Sequence, residues 1–279
     1  MSGGSGPSDS TSDPPSGDID RIVKFIESDL DFTTSFYNAS YLRRRIDARM
    51  YRTEADDPGD YFQLLRSDPA EQDLLIDALS INVTSFFRNP EVWTQLRGIL
   101  QKLSQETSNI VMWSAPCSDG REPYSLAMLA LEDADIDEAN LKILGTDISD
   151  DAISAARQGS YCSTSTTDIA KELSFLESHE EYVEKTGDEF TVKPNVRELV
   201  SFKSHDLIND PPPDTFDLIL CRNLLIYIHA EYKEAIFETL DSAIVEGGYL
   251  VLGMSELLPR RFRARYDKMD GSSVVLQKK

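Results

Sequence analysis

Asp147 follows an apolar run, Leu141-Lys-Ile-Leu-Gly145, and precedes a segment with helical periodicity from Asp150 to Arg157. An acid between a buried strand and a helix is placed to accept both hydroxyls of a ribose, as in dinucleotide folds. The position also suits a helix cap. Ser149 and Asp150 can already serve as the cap, which leaves the Asp147 carboxylate available. A second polar loop follows the run Ile110-Val-Met-Trp-Ser-Ala115 and reads Pro116-Cys-Ser-Asp-Gly-Arg-Glu122, with Pro123 opening a helix. One glycine, Gly120, and no lysine make a poor phosphate cradle. With Asp119 and Glu122 the loop suits a ligand carrying hydroxyls and positive charge, although alone it is also an ordinary turn. A third run, Phe216-Asp-Leu-Ile-Leu-Cys221, ends in Arg222-Asn223 and then Leu224-Leu-Ile-Tyr227. Polar residues and an aromatic there read as a site floor, or Tyr227 as core packing with its hydroxyl bonded. Asn82-Val-Thr-Ser-Phe-Phe-Arg88 puts two aromatics between polar residues, as a lid over a ligand or as a hinge between domains.

The elements that must position these residues alternate. Strand-like runs at 110–115, 141–145, 216–221 and 248–253 are separated by helical patterns at 123–131, 150–157 and 230–244. Such alternation predicts a doubly wound α/β sheet, with ligands at the carboxyl ends of its strands. Ser273-Val-Val-Leu-Gln277 reads as a final edge strand. A helix over 167–181 and a hairpin centred on Thr186-Gly187-Asp188 interrupt the alternation and predict a small antiparallel insert over about 182–203. Residues 18–88 read as an N-terminal helical domain with its linker, and 89–279 as the α/β domain. Ile19, Ile22, Val23, Ile26 and Leu30 share one helical face, and Asp57-Pro58 and Asp68-Pro69 mark helix starts. Residues 1–17 are Ser, Gly, Asp and Pro with almost nothing to bury, so a disordered tail is expected.

The formal charge of −21 argues against binding nucleic acid, which needs a basic face to neutralise phosphates. The acid is spread along the chain and reads as a solvated, self-repelling surface rather than a site for a basic partner. Against it stands Tyr41-Leu-Arg-Arg-Arg-Ile-Asp-Ala-Arg49, where Arg43, Arg44, Arg45 and Arg49 face one acid, Asp47. That cluster is either a solvated helix face or a dock for an acidic partner helix. Three cysteines and three histidines are dispersed, with no disulfide framework and no metal spacing. No run approaches the ~18 apolar residues of a membrane helix, and the N-terminus lacks a signal-peptide pattern, so a cytoplasmic protein without membrane insertion is expected.

Together the pieces resemble the chemotaxis protein methyltransferase family, CheR. Those pieces are Asn82 to Arg88, Gly120-Arg-Glu-Pro-Tyr-Ser125, Thr146-Asp-Ile148 with Ala156-Arg-Gln-Gly-Ser-Tyr161, Phe216 to Tyr227, and Gly247-Gly-Tyr-Leu-Val-Leu-Gly-Met-Ser-Glu256. They fall in the family's order over about residues 20–279. The resemblance implies S-adenosylmethionine as cofactor, S-adenosylhomocysteine as product, and esterification of glutamate side chains on the cytoplasmic helical domain of methyl-accepting chemotaxis receptors. It implies that Asn82, Thr84, Arg88, Glu122, Asp147, Arg222 and Asn223 contact the cofactor and that Asp206 and Leu207 flank its adenine. Arg88 and Tyr227 would lie nearest the reacting methyl, and Arg43, Arg44, Arg45 and Arg49 would face the receptor. A monomer is expected. Two departures stand out: Arg121 where the family commonly has glutamate, and Asp206 where it often has asparagine. The short loop at Gly187 resembles members that do not grip a receptor tail. A small-molecule methyltransferase and a non-catalytic cofactor sensor are the rival readings.

Overall fold

Helical periodicity in the first eighty residues becomes four helices: α1 (Ser16–Asp29), α2 (Ala39–Thr53), α3 (Pro58–Ser67) and α4 (Pro69–Leu79). The computed structural model describes residues 16–30, 32–79, 84–165, 167–269, 271 and 274–279. The expected disordered tail lies outside them except for its last two residues, which open α1. The caps follow from residue type. The Asn38 side chain accepts the Tyr41 N–H at 2.8 Å, and Asp57 accepts the Asp60 N–H at 2.9 Å with Pro58 in the first turn. Ile22, Ile26, Ile46, Tyr61, Leu65, Leu75 and Leu79 are fully buried. Residues 1–80 form one compact unit and 81–279 a second.

One member of the expected docking face belongs to the core of the first unit. Arg49 is 8% exposed, and its guanidinium grips Glu71 through Nε at 3.0 Å and Nη2 at 2.5 Å. The Tyr61 hydroxyl donates to the same carboxylate at 2.7 Å. Arg49 follows Leu42 and Ile46 at helical spacing, so it turns inward with them. Arg43 pairs with Asp47 at 3.6 Å, Arg45 lies over the Tyr41 ring at 5.2 Å, and Arg44 is exposed.

The second unit begins with the amphipathic α5 (Pro90–Glu106), which buries Val92, Trp93, Leu96, Ile99, Leu100 and Leu103. Then follow β1 (Ile110–Ser114), α6 (Arg121–Glu132), β2 (Leu141–Asp147), α7 (Asp150–Gln158), β3 (Ser160–Cys162), α8 (Ile169–Leu173), β4 (Val183–Thr186), β5 (Glu189–Val192), α9 (Pro194–Arg197) and β6 (Val200–Ser204). The chain closes with β7 (Phe216–Cys221), α10 (Ala230–Ala243), β8 (Ile244–Leu252), β9 (Tyr266–Lys268) and β10 (Val275–Lys278). The main sheet has the order β6-β2-β1-β7-β8-β10-β9. Its first five strands run parallel, and β10 and β9 are antiparallel additions. Strands covered on both faces must be apolar throughout, which explains the near-continuous runs in β1 and β7. From β1 the order departs toward β2 and β6 on one side and toward β7 and β8 on the other. The switch point therefore opens between β1 and β7.

Four expectations need correction. The small sheet has the order β3-β5-β4, so Ser160–Cys162 joins the hairpin. Val200–Ser204, placed in the insert from sequence, is instead the main-sheet strand beside β2. The helix expected over 167–181 is only α8 and a 3-10 turn at His179–Glu181. Finally, β10 is not the edge, because the three-residue β9 pairs outside it.

Candidate active site

A cleft at the switch point is lined by Thr84, Ser85 and Arg88 on one side, Pro116, Cys117, Ser118 and Glu122 on the second, and Arg222 and Asn223 on the third. These are the strand-end loops after β1 and β7 and the segment before α5. Apart from Glu54, which caps α2, the non-glycine residues with positive φ among the described residues are Phe87, Asn89, Ser118 and Asn223. Each stands in one of those walls. Backbone strain is thus concentrated where the chain must turn a polar surface inward.

The wall after β1 is tied to Asp147. The Ser118 N–H donates to Asp147 Oδ2 at 2.8 Å and the Ser149 N–H to Oδ1 at 3.1 Å. Ser149, not Asp147, caps α7 by accepting the Ala152 N–H at 3.2 Å. A carboxylate has about four acceptor positions, so acceptor capacity remains for a ligand hydroxyl. Burial pushes the Asp147 carboxyl above the usual aspartate range, and the backbone N–H groups of Ser149, Ser118 and Ile148 pull it back. Burial, reinforced by Asp147, Glu122 and Asp119, likewise raises the Cys117 thiol, which favours its neutral form. Gly120 sits at φ 90, where a Cβ would meet the Ala156 Cβ at 2.9 Å; the loop needs glycine at that point.

Arg222 braces the cleft rather than reaching across it. Its side chain is 1% exposed, and Nη1 donates to Glu122 Oε2 at 3.1 Å. Nη2 donates to the Arg88 carbonyl at 2.8 Å and to Asn89 Oδ1 at 3.1 Å. Glu122 also accepts the Ser114 hydroxyl at 2.8 Å. The segment 84–88 is held residue by residue. Arg121 donates to the Thr84 carbonyl at 3.1 Å, Glu172 accepts the Phe86 N–H at 3.0 Å, and Ser125 accepts the Phe87 N–H at 3.1 Å. Trp93 joins Arg222 on the Arg88 carbonyl at 3.0 Å. Phe86 and Phe87 are each 2% exposed, packed on Tyr161 and on Phe175 and Trp93. They anchor residues 84–88 to the second unit.

Arg121, the departure from the family pattern, is neutralised on both sides. It pairs with Asp119 at 2.9 Å and with Glu172 at 3.4 Å and lies over the Tyr161 ring at 5.4 Å. Burial raises the carboxyls of Asp119 and Glu172, while Arg121 lowers both.

Other sequence-predicted residues are placed less directly. Asn82 lies outside the described residues. The Asp206 carboxylate is spent on its own turn, accepting the Ile208 N–H at 2.8 Å and the Asn209 amide at 2.7 Å, while Leu207 is 8% exposed beside it. Tyr227 is half-buried beyond the cleft lining, in a turn closed by its N–H on the Leu224 carbonyl at 3.0 Å. Sequence reasoning missed Glu256 as the residue that shapes this turn. Its buried carboxylate accepts the N–H groups of Leu225 at 2.7 Å, Gly253 at 2.6 Å and Asn223 at 3.1 Å. A Cβ on Gly253 would meet the Asn223 backbone nitrogen at 2.8 Å, so this close approach requires glycine.

The donor set fits S-adenosylmethionine. Two cleft-wall atoms, Ser118 Oγ and Arg222 Nε, are buried without a protein partner, which suits a polar ligand. Asp147 offers a ribose acceptor, and Glu122, bound to Arg222 and Ser114, lines the same cleft. Among the described residues no three His, Cys, Asp or Glu side chains are grouped to hold a metal ion.

Comparison with known proteins agrees with this geometry. Residues 82–275 match the family model described as CheR methyltransferase, SAM binding domain, and residues 17–80 match CheR methyltransferase, all-alpha domain. The chemotaxis protein methyltransferase of Listeria monocytogenes is 34% identical over 237 residues, 84% of this chain and 88% of that protein. That of Borreliella burgdorferi is 30% identical over 254 residues, 86% and 88% of the two chains. A helical N-terminal unit, a parallel sheet with its cleft at the switch point, and matches over both units converge. The chain belongs to the CheR methyltransferase family and takes S-adenosylmethionine as its cofactor.

Proposed function

We propose that the protein transfers the methyl group of S-adenosylmethionine to glutamate side chains on the cytoplasmic helical domain of methyl-accepting chemotaxis receptors. The products are glutamyl methyl esters and S-adenosylhomocysteine, and the protein works as a cytoplasmic monomer in receptor adaptation. One observation carries the reading: a cleft that sets an acceptor carboxylate, Asp147, behind one wall and Arg88 in another, in a chain of this family.

When bound, S-adenosylmethionine supplies an electrophilic methyl on a sulfonium. Asp147 would accept from the ribose, Glu122 and Thr84 would line the cofactor's pocket, and Leu207 with the Asp206 turn would flank the adenine. A substrate glutamate, with a reference pKa of ~4.3, arrives ionised, so no general base is required. Arg88 orients that carboxylate by paired hydrogen bonds, with its backbone fixed by Arg222 and Trp93. Too strong a grip would stabilise the ground state more than the transition state. Tyr227 lines the approach to the methyl, and Asn223 sets the wall between them. Transfer forms one carbon–oxygen bond, breaks one carbon–sulfur bond, and cancels one negative with one positive charge. A dry site favours a step that cancels charge, and positioning supplies the rest.

Labelled methyl transfer to a receptor cytoplasmic fragment tests this directly. Label on the protein, released as methanol by base, is expected. Arg88→Ala should lower kcat/KM by about 10²-fold, the cost of misplacing a reactant. Label found only on small molecules, or unchanged turnover in Arg88→Ala, would count against the reading.

A further inference from the structure

The segment after β8 runs against the charge of the whole chain. From Met254 to Arg265 it carries Arg260, Arg261, Arg263 and Arg265 against one acid, Glu256, in a protein with 28 Lys and Arg to 49 Asp and Glu. Glu256 is buried, 4% exposed, and spent on backbone N–H groups, so it does not offset the arginines at the surface. Arg261 pairs with Glu238 at 2.5 Å, and Arg265 pairs with Asp241. Two cations remain for other work. The exposed Arg260 side chain has no partner among the described residues. Arg263 gives Nε to the Leu258 carbonyl at 3.1 Å and, with Lys268, edges a groove of about 300 Å³ walled by Leu257, Leu258 and Tyr266.

Apolar surface lies beside these cations. Leu257 is 74% exposed, Met254 46% and Ile226 40%. Glu256 binds the backbone on both sides of this patch, at Gly253 and at Asn223 and Leu225. The patch therefore adjoins the cleft wall at Asn223. Exposed leucine and methionine rimmed by arginine and lysine have the make-up of an interface centre with a charged rim.

We propose that this surface, Ile226, Met254 and Leu257 rimmed by Arg260, Arg263 and Lys268, docks an acidic amphipathic helix of the substrate protein beside the glutamate to be methylated. The inference rests on the receptor reading given above and names where that substrate is gripped on the methyltransferase unit. Charge complementarity selects the occupant. An acidic helix is repelled by most of a surface carrying −21 and admitted where cations cluster, which orients it toward the cleft. A second copy of the chain would bring another −21 to the contact, and an anionic bilayer would be repelled in the same way.

The test uses the full chain, a receptor cytoplasmic fragment and labelled S-adenosylmethionine. Leu257→Glu and the double variant R260E/R263E should raise KM for the fragment about tenfold or more, the loss typical of central interface residues. Both should keep wild-type kcat at saturating fragment, affinity for S-adenosylhomocysteine and melting temperature, because neither site touches the cofactor. Val245→Glu, exposed at the other end of β8, should leave KM unchanged. Wild-type KM in both test variants would overturn the docking surface while leaving the receptor reading intact. A wild-type enzyme that binds S-adenosylhomocysteine yet labels no fragment would overturn the receptor reading and this occupant with it. Sedimentation with phosphatidylserine vesicles that Leu257→Glu abolishes would overturn it in favour of a membrane.

Discussion

Asp147 serves two masters, and they respond to pH in opposite directions. Burial raises its carboxyl above the ordinary value of ~3.9. In the window between the unfolded and raised values the folded state binds more protons than the unfolded one. The contribution of this group to stability therefore falls as pH rises through that window. Its grip on ribose hydroxyls needs the ionised form and is lost as pH falls through the raised value. Calorimetry with S-adenosylhomocysteine from about pH 7 downward should show an acid limb above the ordinary aspartate range, and Asp147→Asn should remove the limb. Arg121 carries a second residue-scale prediction. Restoring the family's acid with Arg121→Glu would place three carboxylates together, at 119, 121 and 172, and release the Thr84 carbonyl. Affinity for S-adenosylhomocysteine should drop about tenfold with a lower melting temperature, and Glu172→Gln in the same chain should recover part of both. Arg121→Glu with wild-type affinity would show that the Thr84 segment stands without this pair.

At the scale of elements, α2 shows how a charge run divides. Arg49 is welded to Glu71 and Tyr61, so Arg49→Ala should destabilise the first unit by about 3–5 kcal/mol in denaturant titrations. Arg44→Ala should leave stability unchanged and raise KM for a receptor fragment. The reverse pattern would restore Arg49 to the docking face. Helical spacing from Leu42 and Ile46 pointed inward to Arg49, but its count among the arginines hid that. The α/β alternation was legible because strands buried on both faces leave unbroken apolar runs, as in β1 and β7. The β9 strand was not legible, since three residues carry no period, and so β10 read as an edge. The place of Asp147, at the end of β2 and before α7, could be read from its own neighbours. The anchoring of 84–88 could not, because its partners Ser125, Glu172 and Arg222 come from far along the chain, up to 134 residues away. Such long-range ties appear only once the fold brings them together. Glu256 was in a recognised motif, yet its role needed the turn at 223–225 to be seen opposite it.

The whole molecule carries −21, and that charge repels itself in the compact state. Salt shortens the reach of that repulsion to about 8 Å at physiological strength. The melting temperature should therefore rise as sodium chloride is added from low ionic strength, and a flat or falling curve would show that local ion pairs outweigh the net charge. The central claim is that the cleft of the second unit works as one site, with the proposed cofactor held through Asp147 and the methyl delivered past Arg88. Titrating wild type and Asp147→Ala with S-adenosylhomocysteine in a calorimeter tests it most directly. The account expects saturable heat at one site per chain in the wild type. Asp147→Ala should weaken it by at least about tenfold, the loss of hydrogen bonds to a charged group, without unfolding. Equal affinity in the two proteins, or no heat in the folded wild type, would contradict it.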